Sequence, residues 1–132
     1  SSDLLYKHKK TLWDAIERSR TYDNPQRTSH CAIIKINNKT FYGFNKKKSH
    51  PLQKRFGSNK KAIYLHAEVD VIRKAYRMEG NISGSILYVA RTRADGSVGM
   101  SAPCEACQQA IEHFGINRAI FTTNNGIGEI YV

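Results

Sequence analysis

The chain has 132 residues, of which 40% are apolar and 24% charged, with a formal charge of +10. Those values suit one globular domain over residues 1–132 and exclude wholesale disorder. No apolar run approaches the roughly 18 residues of a membrane-spanning helix and no apolar h-region opens the chain, so a cytoplasmic protein without membrane contact is expected.

Residues 3–20 read as an amphipathic helix. Leu5, Leu12 and Ile16 fall near one face, with Leu4, His8 and Ala15 beside them and Lys7, Lys10, Asp14 and Arg18 opposite. Ser2 or Asp3 would cap it, and the turn residues Asp23-Asn24-Pro25 would end it. A short β-branched run, 31–36, reads as a strand containing a buried free thiol at Cys31. Asn37-Asn38 tolerates positive φ and turns the chain into a second strand over 39–44.

From 45 to 64 the pattern breaks into a long loop. It holds Lys46, Lys47, Lys48, His50, Lys54, Arg55, Lys60 and Lys61, with Pro51 and Gly57 between them. In a second helix over 66–79, Val69, Ile72, Arg73 and Tyr76 share a face, with Ala75 nearby, and Gly80-Asn81 follows as a stop signal. A third strand spans 85–90 and a loop spans 91–102. Pro103 then opens a third helix, capped by Ser101, that ends at Gly115. Strands at 117–123 and 129–132, joined by Asn124-Asn125-Gly126, would pair antiparallel. The order predicts a three-layer α-β-α sandwich around a five-stranded mixed sheet.

Three cysteines cannot all pair within one chain, and a reducing compartment favours a metal or redox role for Cys104-x-x-Cys107. At the start of a helix their sulfurs project from one face, and the helix terminus favours thiolate. His66 opens the other helix. A His/Cys/Cys set leaves the fourth tetrahedral position open, the pattern of a catalytic rather than a structural zinc. Thiol–disulfide exchange is the competing reading of the pair. Its late position, the preceding Pro103, and the presence of His66 and Glu68 favour zinc. Glu68 is assigned proton transfer beside the metal, not coordination.

His66-Ala67-Glu68 with Pro103-Cys104-Glu105-Ala106-Cys107 matches the H-x-E…P-C-x-x-C signature of zinc deaminases. From about residue 31 to 132 the chain resembles the cytidine and deoxycytidylate deaminase superfamily. The resemblance implies one Zn2+ per chain held by His66, Cys104 and Cys107. It also implies that zinc-activated water attacks the carbon bearing the exocyclic amine, with Glu68 as the proton shuttle.

Gly43-Phe44-Asn45 is similar to the family's Gly-aromatic-Asn, which gives Asn45 a sugar contact or, on the plainer reading, a turn. Backbone groups of Ala67 and Ala102 match the positions that hold the base. The basic stretch at 46–61 departs from the minimal family pattern. Basic, His-Pro-containing deaminases of this kind look like viral or phage members, whose compartment would be the host cytoplasm. Relatives form dimers, tetramers or hexamers, so a homo-oligomer is an expected partner state.

Three functions compete. The first is hydrolytic deamination of cytosine in a cytidine or deoxycytidine nucleoside or nucleotide such as dCMP. Here Lys46, Lys47, Lys48, His50, Lys54 and Arg55 are candidate phosphate contacts. The second is a polynucleotide cytosine deaminase acting on single-stranded DNA or RNA. It draws on the +10 charge and on Tyr42, Phe44 and Phe56 among the basic residues, the same six of which would meet nucleic acid. The third is an idle zinc domain, in which Glu68 would have no purpose.

Overall fold

The computed structural model describes residues 2–22, 28–48, 50–56 and 65–132, with side chains from Tyr6 onward. Expectations for Ser2, Asp3, Leu4, Leu5, the turn at Asp23–Pro25, Gly57, Lys60 and Lys61 lie outside what is described.

Helix α1 (Ser2–Thr21) contains neither Gly nor Pro and turns His8, Leu12, Ala15, Ile16 and Ser19 inward. Strands β1 (Thr28–Ile36) and β2 (Lys39–Phe44) form the expected hairpin. Asn37 and Asn38 adopt φ of 53° and 64°, the paired left-handed conformation of a two-residue turn that matches strand twist. β1 begins three residues before the expected start, because its first residues pair with β3 (Ile86–Arg93). Both faces of β1 are covered: Ala32 and Ile34 point one way, Cys31 and Ile33 the other.

The five main strands run β2-β1-β3-β5-β6, with β5 spanning Arg118–Thr122 and β6 Ile127–Tyr131. β3 pairs with β5 in parallel, and β5 pairs with β6 antiparallel, as the tight turn predicts. A short strand, β4 (Val98–Gly99), also folds back onto β3 within the stretch expected to be loop. The 45–64 stretch, also expected to be loop, contains helix α2 (Pro51–Arg55). Five residues are too few to show helical periodicity, so only its Pro51 at the first turn hinted at it.

Helices α3 (Ala67–Glu79) and α4 (Glu105–His113) cover one face, and α1 covers the other, giving the three layers. Val69, Val71, Ile72 and Ala75 of α3 are buried. Arg73 is only half-buried, and Tyr76 is exposed, leaning its ring against Phe114 at 5.2 Å. Pro103 precedes α4 instead of opening it, and Cys104 occupies the N-cap position. Ser101 does not cap. Its hydroxyl donates to the Val89 carbonyl at 2.9 Å and meets Thr122, tying the cysteine loop to β3 and β5.

Candidate active site

α3 leads into β3 and α4 leaves it, so the N-termini of both helices meet at the carboxyl end of β3, outside the sheet edge. α3 is seated there by two features. Gly43 of β2 lies directly beneath it, where a Cβ would come within 2.4 Å of the Ala67 carbonyl oxygen and the Val71 nitrogen. Asp70, fully buried, accepts the Phe44 N–H at 3.0 Å and pairs with Lys46, Arg73 and Lys74 at 3.5, 2.7 and 3.0 Å. Burial opposes ionisation of Asp70, but the Phe44 amide and the Lys74 and Lys46 charges outweigh it and hold the carboxyl below its ordinary range.

His66 and Cys104 are the N-cap residues of their helices, and neither side chain makes a cap bond. Both are therefore available to a common centre. His66 Nδ1 lies 3.6 Å from Cys104 Sγ and 3.3 Å from Cys107 Sγ, and the three ligand atoms fall within 4.8 Å of one another. Tetrahedral zinc, with Zn–S near 2.3 Å and Zn–N near 2.0 Å, separates nitrogen and sulfur ligands by about 3.5 Å. The donor set and its spacing fit one zinc ion.

The electrostatics agree. The Cys107 thiol donates to Cys104, and with help from His66 this lowers the Cys104 thiol to about 4. Cys107 is held well above its ordinary value by the same interaction and by burial. His66 is raised, foremost by the Cys104 sulfur. The folded pair thus holds one proton where a metal ion would bind. Cys31, by contrast, is a buried thiol pushed up to about 12 by desolvation, an inert core residue.

Glu68 is 6% exposed and its carboxyl is raised by burial. It lines a pocket of about 450 Å³ together with His66, Cys104, Ala67, Ala102 and Asn45. The pocket therefore collects every metal, proton-transfer and base-contact candidate named from the sequence except Cys107, which is buried and outside its lining. Asn45 is also committed to the wall. Its Oδ1 accepts the His30 N–H at 2.9 Å and its Nδ2 donates to the Thr28 carbonyl at 3.2 Å.

None of the six basic candidates lines the pocket. Lys46 is exchanged into a backbone bridge with Leu65 and an ion pair with Asp70. Lys47, Lys48, Lys54 and Arg55 are exposed, Arg55 lying 5.5 Å above the Phe56 ring. His50 caps α2 through Nδ1 and is lowered, foremost by burial.

Sequence reasoning missed His30 and Gln53. His30 lines the pocket, and burial, with Arg91 and His66 nearby, lowers it to about 4. Strand alternation would have placed it on the face of Ala32 and Ile34 had β1 been started earlier. Gln53 carried no signal, because its helix was read as loop.

A family model for the cytidine and deoxycytidylate deaminase zinc-binding region matches residues 6–123. No curated protein matches the chain. Among solved structures, a cytidine deaminase from Burkholderia pseudomallei aligns with TM-score 0.66 at 18% identity, covering 92% of this chain and 91% of that one. A dCMP deaminase from the cyanophage S-TIM5, in apo form, aligns with TM-score 0.56 at 19% identity over 93% and 85%. A cytidine deaminase from Mycobacterium leprae gives 0.55 at 16% over 89% and 88%.

Proposed function

The chain belongs to the cytidine and deoxycytidylate deaminase family, and from that premise we propose that it hydrolyses cytosine to uracil, with release of ammonia, in a nucleoside or nucleotide. The observation that carries this reading is the His66–Cys104–Cys107 triangle, two of whose members share a pocket with the buried Glu68 carboxyl. His66, Cys104 and Cys107 would hold the zinc, which when bound supplies a Lewis acid that makes water nucleophilic near neutral pH.

The rest is work for the chain. Glu68 is suited to take a proton from the attacking water, deliver it to the ring nitrogen and then assist departure of the amine. Its raised carboxyl makes both uptake and return of the proton accessible. Ala67 and Ala102 would meet the base through backbone groups. Asn45 and its wall would meet the sugar. The described lining contains no lysine or arginine, which favours base and sugar inside. A phosphate would lie at the rim, where Lys46, Lys47 and Lys48 follow Asn45 in the chain. A dCMP-type substrate draws support from the cyanophage relative solved with dCMP and dUMP.

Zinc-loaded protein should be offered cytidine, deoxycytidine, their monophosphates and a cytosine-containing single-stranded oligonucleotide. Uracil is expected from at least one mononucleoside or mononucleotide. Uracil from the oligonucleotide alone would move the assignment to polynucleotide editing, and none from any substrate would sink it. Glu68→Gln should keep zinc and lose about 10²–10⁴-fold in rate.

A further inference from the structure

Zinc-binding histidines ordinarily owe their orientation to a hydrogen bond from the second ring nitrogen to a carboxylate or carbonyl. His66 Nδ1 faces the two sulfurs, and no hydrogen bond from Nε2 is found among the described residues.

The backbone on either side of His66 is fixed instead. Leu65 exchanges two hydrogen bonds with Lys46, both at 2.9 Å. The His66 N–H donates to Gln53 Oε1 at 3.0 Å. In a capping box that N-cap N–H is met by a Glu or Gln three residues into the same helix. Here the third position is Val69, which is buried in the core. The acceptor comes instead from α2, thirteen residues upstream.

Gln53 is 2% exposed, and its helix is capped at its start and packed at its end. His50 and Pro51 form its start, with the Leu52 N–H donating to His50 Nδ1 at 3.1 Å. Phe56, at its end, enters the main core and lies 5.5 Å from the His113 ring and 6.5 Å from Phe114. The acceptor is thus carried on a capped helix whose following residue, Phe56, packs against the far end of α4.

We propose that Gln53 is a positioning residue for the metal ligand His66, so that the inserted basic segment completes the metal site through one buried hydrogen bond. The inference rests on the zinc reading of the triad. It goes beyond the family pattern, in which the segment has no part.

The test is zinc affinity, measured on the full folded chain by competition with a chromogenic chelator. Gln53→Met keeps the volume and removes the acceptor, whereas Gln53→Glu keeps an acceptor. Gln53→Met should weaken zinc 10- to 100-fold, and Gln53→Glu should stay within about threefold of the parent. A lower melting temperature for Gln53→Met with unchanged zinc affinity would reduce Gln53 to a fold residue and overturn the proposal.

Hydrogen exchange on the parent chain provides a second measurement should Gln53→Met fail to fold. The His66 amide should be protected as well as the Asp70 amide, which donates to the His66 carbonyl at 2.9 Å, and exchange at the free-solvent rate would overturn the proposal. A parent that binds zinc but deaminates nothing would sink the functional reading and leave this one standing.

Discussion

Gly43→Ala offers a direct test of how the active site is held. The added methyl would lie 2.4 Å from the Ala67 oxygen and the Val71 nitrogen, and 2.8 Å from Val71 Cβ. Ordinary contacts of these kinds begin near 3.4 Å, so the first turns of α3 must retreat by up to about 1 Å. The neighbours are mostly backbone, so no rotamer change relieves the clash. Overpacking of this kind costs about 1–3 kcal/mol. The smaller conformational entropy of unfolded alanine offsets only about 0.4–1 kcal/mol of it.

For a domain of this size the net loss corresponds to a fall of roughly 2–10 °C in melting temperature. Ala67 lies between His66 and Glu68, so the retreat displaces the proposed ligand and the proposed proton carrier together. Metal sites tolerate about 0.2 Å, and a displacement of 1 Å costs on the order of 100-fold in rate. Thermal melting, zinc competition and kcat/KM should therefore all worsen. Gly126→Ala, where a Cβ would meet nothing within 4 Å, should change none of them. A Gly43→Ala protein with parental zinc affinity and kcat/KM would refute the claim that this close approach seats α3.

Two further substitutions probe the electrostatics around the site. Asp70→Asn keeps the shape but leaves Lys46, Arg73 and Lys74 without a counter-charge. Because those cations are about one-third exposed, the cost should be about 1–3 kcal/mol in urea unfolding at pH 7, at the low end for breaking a buried pair. The folded Asp70 carboxyl is depressed, so its contribution is present above the unfolded value near 3.9 and is lost as pH falls through the folded value. Asp70→Asn should remove that part of the acid dependence. His30 works at higher pH. Its folded value of about 4 lies below an unfolded 6.5, so the unfolded chain binds the extra proton in that window. Stability should fall as pH drops from 7 toward 4, by at most about 3 kcal/mol, and the difference curve against His30→Asn should isolate it.

Where local chemistry decides the outcome, the sequence was enough to read. Asn37-Asn38 announces its own turn, and the spacing of Cys104 and Cys107 places two sulfurs on one helix face. His66 and Glu68 are joined to them by donor chemistry, and a resemblance makes the set specific, because 38 positions separate His66 from Cys104 and no local pattern spans that distance. Side chains whose partners are distant in the chain stayed hidden. Ser101 looks like a helix cap until β3 and β5 are seen to claim its hydroxyl. Gly43 looks like part of a motif, and only the packing of α3 explains why no side chain fits there. Tyr76 shares a helical face with Val69 and Ile72, yet it is exposed beside the Phe114 ring.

The amide of Asn45 spans Thr28 and His30 with its two ends. One wall of the pocket is therefore assembled by folding and needs no ordering when a substrate arrives, so little affinity is spent on it. Such a wall selects by outline. If the sugar lies there as proposed, the wall cannot open for a bulkier one without breaking the two bonds from Asn45 to β1, so substituents on that side of the ring should be refused outright instead of being accepted with weaker binding.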